Sequence, residues 1–168
     1  MPAYTGTASA VAREVAWLQT ANDDLPYLLT ADGGPWQNIQ AYWPRTPATQ
    51  QTSIYVLRSS WSDDRASNAR IRPTYEFTLK LVWPIRRAVA PLAEGEQQAL
   101  DNAVDLLVQR IRGPMFDKTH GGAFLSVGEA PRSPGVRITF DDPEVTIDQQ
   151  KALRATVSYY ADDYEVQD

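Results

Sequence analysis

Apolar residues recur along this chain at two spacings, and each spacing predicts its own kind of element. Val11, Val15 and Leu18 stand at i, i+4 and i+7, with Ala12 and Ala16 beside them and Arg13, Glu14 and Gln19 on the other side. That pattern predicts an amphipathic helix over residues 9–20, with Thr7 or Ser9 as N-cap and a stop at Asn22-Asp23-Asp24 before Pro26. Leu100, Val104, Leu107 and Ile111, widened by Ala103 and Val108, predict a second helix over 94–113. Glu94 and Glu96 place negative charge at its N-terminus, Arg110 and Arg112 fall in its last turn, and Gly113 precedes Pro114 as a C′ residue.

Period-two alternation marks the strands. Residues 74–83 are the clearest, with Tyr75, Phe77, Leu79, Leu81 and Trp83 on one face and Glu76, Thr78 and Lys80 on the other. Segments 36–43, 53–61, 123–127, 136–140 and 153–160 read as further strands from β-branched and aromatic content between turn signals such as Asp32-Gly33-Gly34-Pro35. The polar stretch 62–69 between two of them predicts a long hairpin with a broad polar tip, not a tight two-residue turn. The expected class is therefore α+β: a mainly antiparallel sheet, two amphipathic helices packed on it, and a long projecting hairpin. The chain reads as a single domain over 1–168, with an acidic tail, 162–168, that leaves the body.

Composition narrows function by exclusion. At 168 residues, 43% hydrophobic and 22% charged, the chain can bury a sizeable core. Sixteen Lys and Arg against 21 Asp and Glu give a formal charge of −5, which argues against general nucleic-acid binding through a basic patch. With no cysteine there is no disulfide, thiolate metal site or thiol nucleophile. Neither a signal peptide nor a membrane-spanning apolar run is read.

Candidate chemistry is thin. No phosphate loop, nucleophile elbow or metal-ligand cluster appears. His120 is the only histidine. It could act as an acid/base group or lone ligand beside Asp117 and Lys118, but a base needs a positioned partner and a pocket, so a solvated loop histidine is preferred. Its removal is then expected to leave folding and assembly nearly unchanged. The pairs Asp23-Asp24, Asp63-Asp64, Asp141-Asp142 and Asp162-Asp163 could hold Mg²⁺ or Ca²⁺ or line an acidic channel, but lack EF-hand spacing and are read as solvated turns. Five tryptophans and eight tyrosines are assigned to core or subunit interface over ligand stacking. No catalytic, cofactor-binding or metal-ligating residue is assigned, and no enzymatic activity is expected. The candidate partner-binding residues are Asp63, Asp64, Arg65, Arg70 and Arg72, a mixed-sign cluster suited to protein docking.

The order of these elements carries a resemblance. A helix, strands, a hairpin ending in Phe77-Thr78-Leu79-Lys80-Leu81-Val82-Trp83, the helix over 94–113, a short β segment and a terminal strand follow one another. The chain resembles tail terminator proteins of long-tailed bacteriophages, also called tail completion or neck proteins. The resemblance implies a virion protein, made in the host bacterial cytoplasm, that forms a ring, expected to be hexameric, on the last tail-tube subunits. That ring ends tube polymerisation and joins the tail to the head connector while DNA passes through its lumen without specific binding. The acidic balance agrees with a lumen along which DNA slides. Segments 45–52 and 123–144 depart from the pattern. A head-tail connector or stopper protein is the alternative within the same assembly class. From another class, a cone-shaped small-ligand or enzymatic α+β domain would need a concave pocket with converging polar groups.

Overall fold

The computed structural model describes residues 6–21, 24–46, 51–67, 70–85, 90–113, 118–128, 135–142, 152–164 and 166–167. Helix α1 runs Thr7–Gln19 and buries Ala10, Val11, Glu14, Trp17 and Leu18. Those positions keep a helical stripe, but its centre is Glu14, with Val15 only half-buried. Neither expected N-cap caps the helix: Gly6, at φ 89°, stands there and no side chain bonds into the first turn. At the other end Thr20 turns to extended backbone, while its hydroxyl donates to Ala16 O at 2.6 Å.

A short 3-10 turn, Thr30–Asp32, leads out through Gly33 in the left-handed region. Gly34 follows with the backbone of Tyr27 and Leu28 so close that a Cβ there would collide with main-chain atoms. The Asp-Gly-Gly turn thus folds the chain back on itself and delivers Trp36, fully buried, to the core.

Strand β1 (Asn38–Ala41) runs parallel to β2 (Ser53–Ser67), pairing Ile39 with Ile54. β2 pairs antiparallel with β3 (Arg70–Pro84), Val56 opposite Leu79 and Trp61 opposite Tyr75, with a bulge near Ser59. Helix α2 spans Ala90–Arg112. β4 (Ser126–Val127) and β5 (Arg137–Phe140) both pair with β6 (Ala152–Asp162), which also pairs along β3. β7 (Val166–Gln167) pairs with β3 at Arg70 and Ile71. The main path of the mixed sheet is β1-β2-β3-β6-β4, and with the two helices it places the described residues in the α+β class.

One apolar cluster joins the α1 and α2 stripes to Tyr75, Phe77, Leu79, Leu81 and Trp83 of β3 and to alternate residues of β6. Both helices therefore cover the same sheet face. Tyr55, Val82 and Ala152 make a small second cluster on the other face.

Several expectations are corrected. Residues 62–67, expected in a polar tip, continue β2, because β3 begins at Arg70 and offers them a partner; cross-strand pairing outweighs weak intrinsic propensity. The connecting residues 68 and 69 lie outside the described residues. α2 begins before Glu94, so its first turn holds no acid. Glu96 instead accepts from Trp83 Nε1 at 2.8 Å, tying helix to sheet. The strand expected over 123–127 is reduced to Ser126–Val127, preceded by turns. The acidic tail does not simply leave the body: Asp162 ends β6, Asp163 is buried, and Val166–Gln167 join the sheet.

Candidate functional site

Glu14 is fully buried under the sheet, where a carboxylate must be paired. Its Oε1 accepts the Tyr159 hydroxyl proton at 2.5 Å, and its Oε2 lies 2.8 Å from His120 Nδ1. The other ring nitrogen, Nε2, lies 2.6 Å from Ile111 O, a carbonyl of the last α2 turn that has no partner within the helix. A carbonyl only accepts, so Nε2 carries a proton, and one further proton is held between Glu14 and Nδ1. His120 also stacks on Trp17, ring centroids 4.9 Å apart, and takes a left-handed φ of 50° in the turn after α2.

Arg110 completes the arrangement. It is fully buried, with Nη2 donating to Trp17 O at 2.9 Å and to Thr20 O, and its guanidinium lies over the Trp17 ring at 4.5 Å. Burial lowers its pKa from the ordinary arginine value, while the Glu14 charge opposes that fall. An arginine of α2 thus caps α1, and a histidine just beyond α2 caps α2 while binding the α1 carboxylate. Nearby, half-buried Arg13 grips Asp163 through two bonds of 3.0 and 2.7 Å and lies over the Phe124 ring.

This overturns the reading of His120 as a solvated loop residue, of Glu14 as part of a polar helix face, and of Asp162-Asp163 as a solvated turn. Asp162 accepts from the Thr74 hydroxyl at 2.6 Å. The sequence did carry a signal. Val11, Glu14 and Leu18 stand at i, i+3 and i+7, and Arg110 lies three residues past Leu107 and seven past Ala103. Each charge sits inside an apolar stripe. Glu14 and His120 side chains are wholly enclosed, and the network they form locks helices to sheet.

Burial, then the Glu14 charge and hydrogen bond, raise the Tyr159 pKa well above 10.0. Below the ordinary tyrosine value both folded and unfolded chains keep the proton, and its contribution to stability is complete. Above about pH 10 the unfolded chain ionises while the folded one does not, so stability falls, by up to about 1.4 kcal/mol per pH unit for one proton. Urea unfolding of wild type and Tyr159→Phe between about pH 10 and 11 checks this. The variant is expected to lose part of the alkaline slope, and equal slopes would contradict it.

The sheet face away from the helices holds a cleft of about 340 Å³ whose lining includes Trp43, Leu57, Lys80, Val82, Asp141, Arg154 and Thr156. Trp43, still substantially exposed, packs edge-on against buried Tyr55 at 4.9 Å. Lys80 donates to Thr156 Oγ1 at 3.2 Å, and Arg154 lies 6.0 Å from the Trp43 ring with its buried Nε unbonded. Neither cation has an ion pair among the described residues.

Of the predicted docking residues, Asp63, Asp64 and Arg65 lie on β2 opposite Pro73, Arg72 and Ile71, and Arg70 lies opposite Ser67. They share one ribbon, with Asp64 and Arg72 directly across from each other. β1 covers β2 only from Ser53 to Val56, so from Leu57 to Ser67 no described strand borders the outer edge of β2. Trp61, on this ribbon, is 53% exposed. Among the described residues no group of three His, Asp or Glu side chains could hold a metal ion, and no helix is long and apolar enough to cross a membrane.

No family model matches the chain, and no curated protein matches its sequence.

Proposed function

We propose that this chain is a structural subunit of a phage tail: a ring-forming terminator at the head-proximal end of the tube that ends polymerisation and joins tail to head connector. The observation carrying this reading is the β2–β3 ribbon, whose outer edge no described strand borders from Leu57 to Ser67 and which exposes Trp61 and Asp63. An open edge of that length favours pairing with other chains. Exposed Asp63 gains little from ion pairing within its own domain, since exposed ion pairs contribute only about 0–1 kcal/mol each. In this reading the ribbon is the projecting hairpin of a mainly antiparallel domain, and Asp63, Asp64, Arg65, Arg70 and Arg72 set docking register and encounter rate with the neighbouring protein. Subunits close into a hexamer around a DNA channel, and no cofactor takes part.

Adding purified protein to polymerising tail-tube subunits is expected to stop elongation, seen as short capped tubes by electron microscopy. Reversing the charges of Asp63, Asp64, Arg65 and Arg70 together should abolish head attachment while leaving the circular dichroism and thermal midpoint of the subunit unchanged. A protein that stays monomeric with tubes present and leaves their growth unaltered would overturn the reading. The cleft beside Trp43 favours a second reading, a small-ligand domain, because its volume falls within the ordinary range for ligand sites. Recovery of a stoichiometric small molecule from native protein would support that reading instead.

A further inference from the structure

The exposed aromatic on the ribbon and the cations of the cleft, which have no ion pair among the described residues, have complementary chemistry and lie on opposite faces of the sheet. Trp61 is directly across from Tyr75, whose side chain points to the helix-bearing face, so Trp61 and Asp63, two residues on, point that way too. Both are exposed, since the described helix residues do not cover this end of the ribbon. Lys80, Val82 and Arg154 alternate with the core residues Leu81, Leu153 and Ala155 and therefore point to the other face. A subunit cannot bring its own Trp61 into its own cleft without passing through the sheet.

We infer that Trp61 and Asp63 of one copy seat in the cleft of a second copy, the indole against Trp43 and Val82 and the carboxylate on Arg154 and Lys80. This rests on the ring reading above and names the contact that builds the ring. A large aromatic beside a carboxylate matches a cleft lined by apolar Trp43, Leu57 and Val82, in which two cations, Lys80 and Arg154, outweigh one carboxylate, Asp141. Trp and Arg are the residue types that most often dominate interface energetics. Because the donor ribbon and the acceptor cleft lie on opposite faces of the sheet, the contact is read as head-to-tail, and repetition of one rotation yields a closed ring or an open helix.

The test uses two variants of the full chain, Trp61→Ala and Arg154→Glu, with the mass of each measured by light scattering across a concentration series. Each alone is expected to weaken subunit association about 30-fold or more, the change that separates a dominant contact from a peripheral one. Mixed together they should form one-to-one dimers, since Trp61 of the Arg154→Glu copy still meets an intact cleft on the Trp61→Ala copy. Trp61 is exposed, so its replacement leaves the fold intact even if Arg154→Glu perturbs it. If the wild type forms a ring and Trp61→Ala forms the same ring, the inference fails while the ring reading stands. If both variants dissociate but the mixture stays monomeric, the pairing is wrong. A wild type that is monomeric at every concentration overturns the ring reading as well.

Discussion

Replacing His120 with alanine is expected to destabilise the fold by about 3–5 kcal/mol, the usual cost of removing one partner from a buried pair. Folding free energies of domains lie near 5–15 kcal/mol, so this is a large fraction of what holds the chain together. The imidazole is bonded at both nitrogens, to Glu14 Oε2 at 2.8 Å and to Ile111 O at 2.6 Å, and its plane lies on Trp17. Alanine would leave the enclosed Glu14 carboxylate with only the Tyr159 hydroxyl and return the Ile111 carbonyl to an unpaired state. It would also open a void beneath the Trp17 ring. Glu14→Gln is the discriminating companion: an amide can accept from Tyr159 and donate to a neutral Nδ1, keeping every bond without a charge. That variant should cost about 1 kcal/mol, within the range for exchanging a hydrogen bond. Urea unfolding with a double-mutant cycle over Glu14 and His120 reads both effects. A His120→Ala midpoint unchanged from wild type would show that the network contributes nothing.

The size of that effect marks where reading the sequence succeeds and where it stops. Alternation from Tyr75 to Trp83 and the spacing of Leu100, Val104, Leu107 and Ile111 are periodic signals, repeated often enough that one face of each element is unambiguous. Those residues are the core, and the α+β class follows from them. The network escaped because its members are far apart in sequence. His120 is 106 positions from Glu14, and Tyr159 is 145 from it. A histidine in a Lys-Thr-His-Gly-Gly stretch has the local texture of a surface loop. Only the turn after α2, with Gly121 and Gly122 at positive φ, swings it under Trp17. The charges inside the helical stripes were the available clue, since a lone Glu14 among apolar neighbours demands a partner somewhere.

The ribbon shows the opposite failure. Serine, aspartate and arginine from Ser62 onward have low strand propensity, so local reading turns them into a tip. Their strand character comes from the continuation of β3 through Arg70 to Pro73, a long-range pairing that no local window contains. The proposed docking residues rest on charge pattern, and the structure adds which face Trp61 presents, and that a cleft whose cations have no ion pair among the described residues lies on the other side of the sheet.

The second large effect is expected at Arg110. Arg110→Met keeps the length of the stem and much of the packing against Trp17, yet should cost about 3 kcal/mol, because backbone acceptors then lose a charged donor and hydrogen bonds to charged groups are worth roughly 1.5–3 kcal/mol each. A competing term favours the variant: the buried guanidinium is poorly solvated, as its lowered pKa records, and replacing buried charge with hydrocarbon is often neutral. Two observations decide against neutrality. Trp17 O and Thr20 O close the C-terminal end of α1, where carbonyls have no partners within the helix, and methionine supplies no donor to either. Glu14 would also lose the positive charge closest to the His120 pair on the α2 side. Arg110→Lys should recover only part of the loss, since an ammonium cannot serve both carbonyls in one plane while stacking on the indole. Thermal unfolding of the three proteins, with hydrogen exchange at the end of α1, tests the order arginine, lysine, methionine. A methionine variant as stable as wild type would mean that the cap is worth no more than the cost of burying its charge.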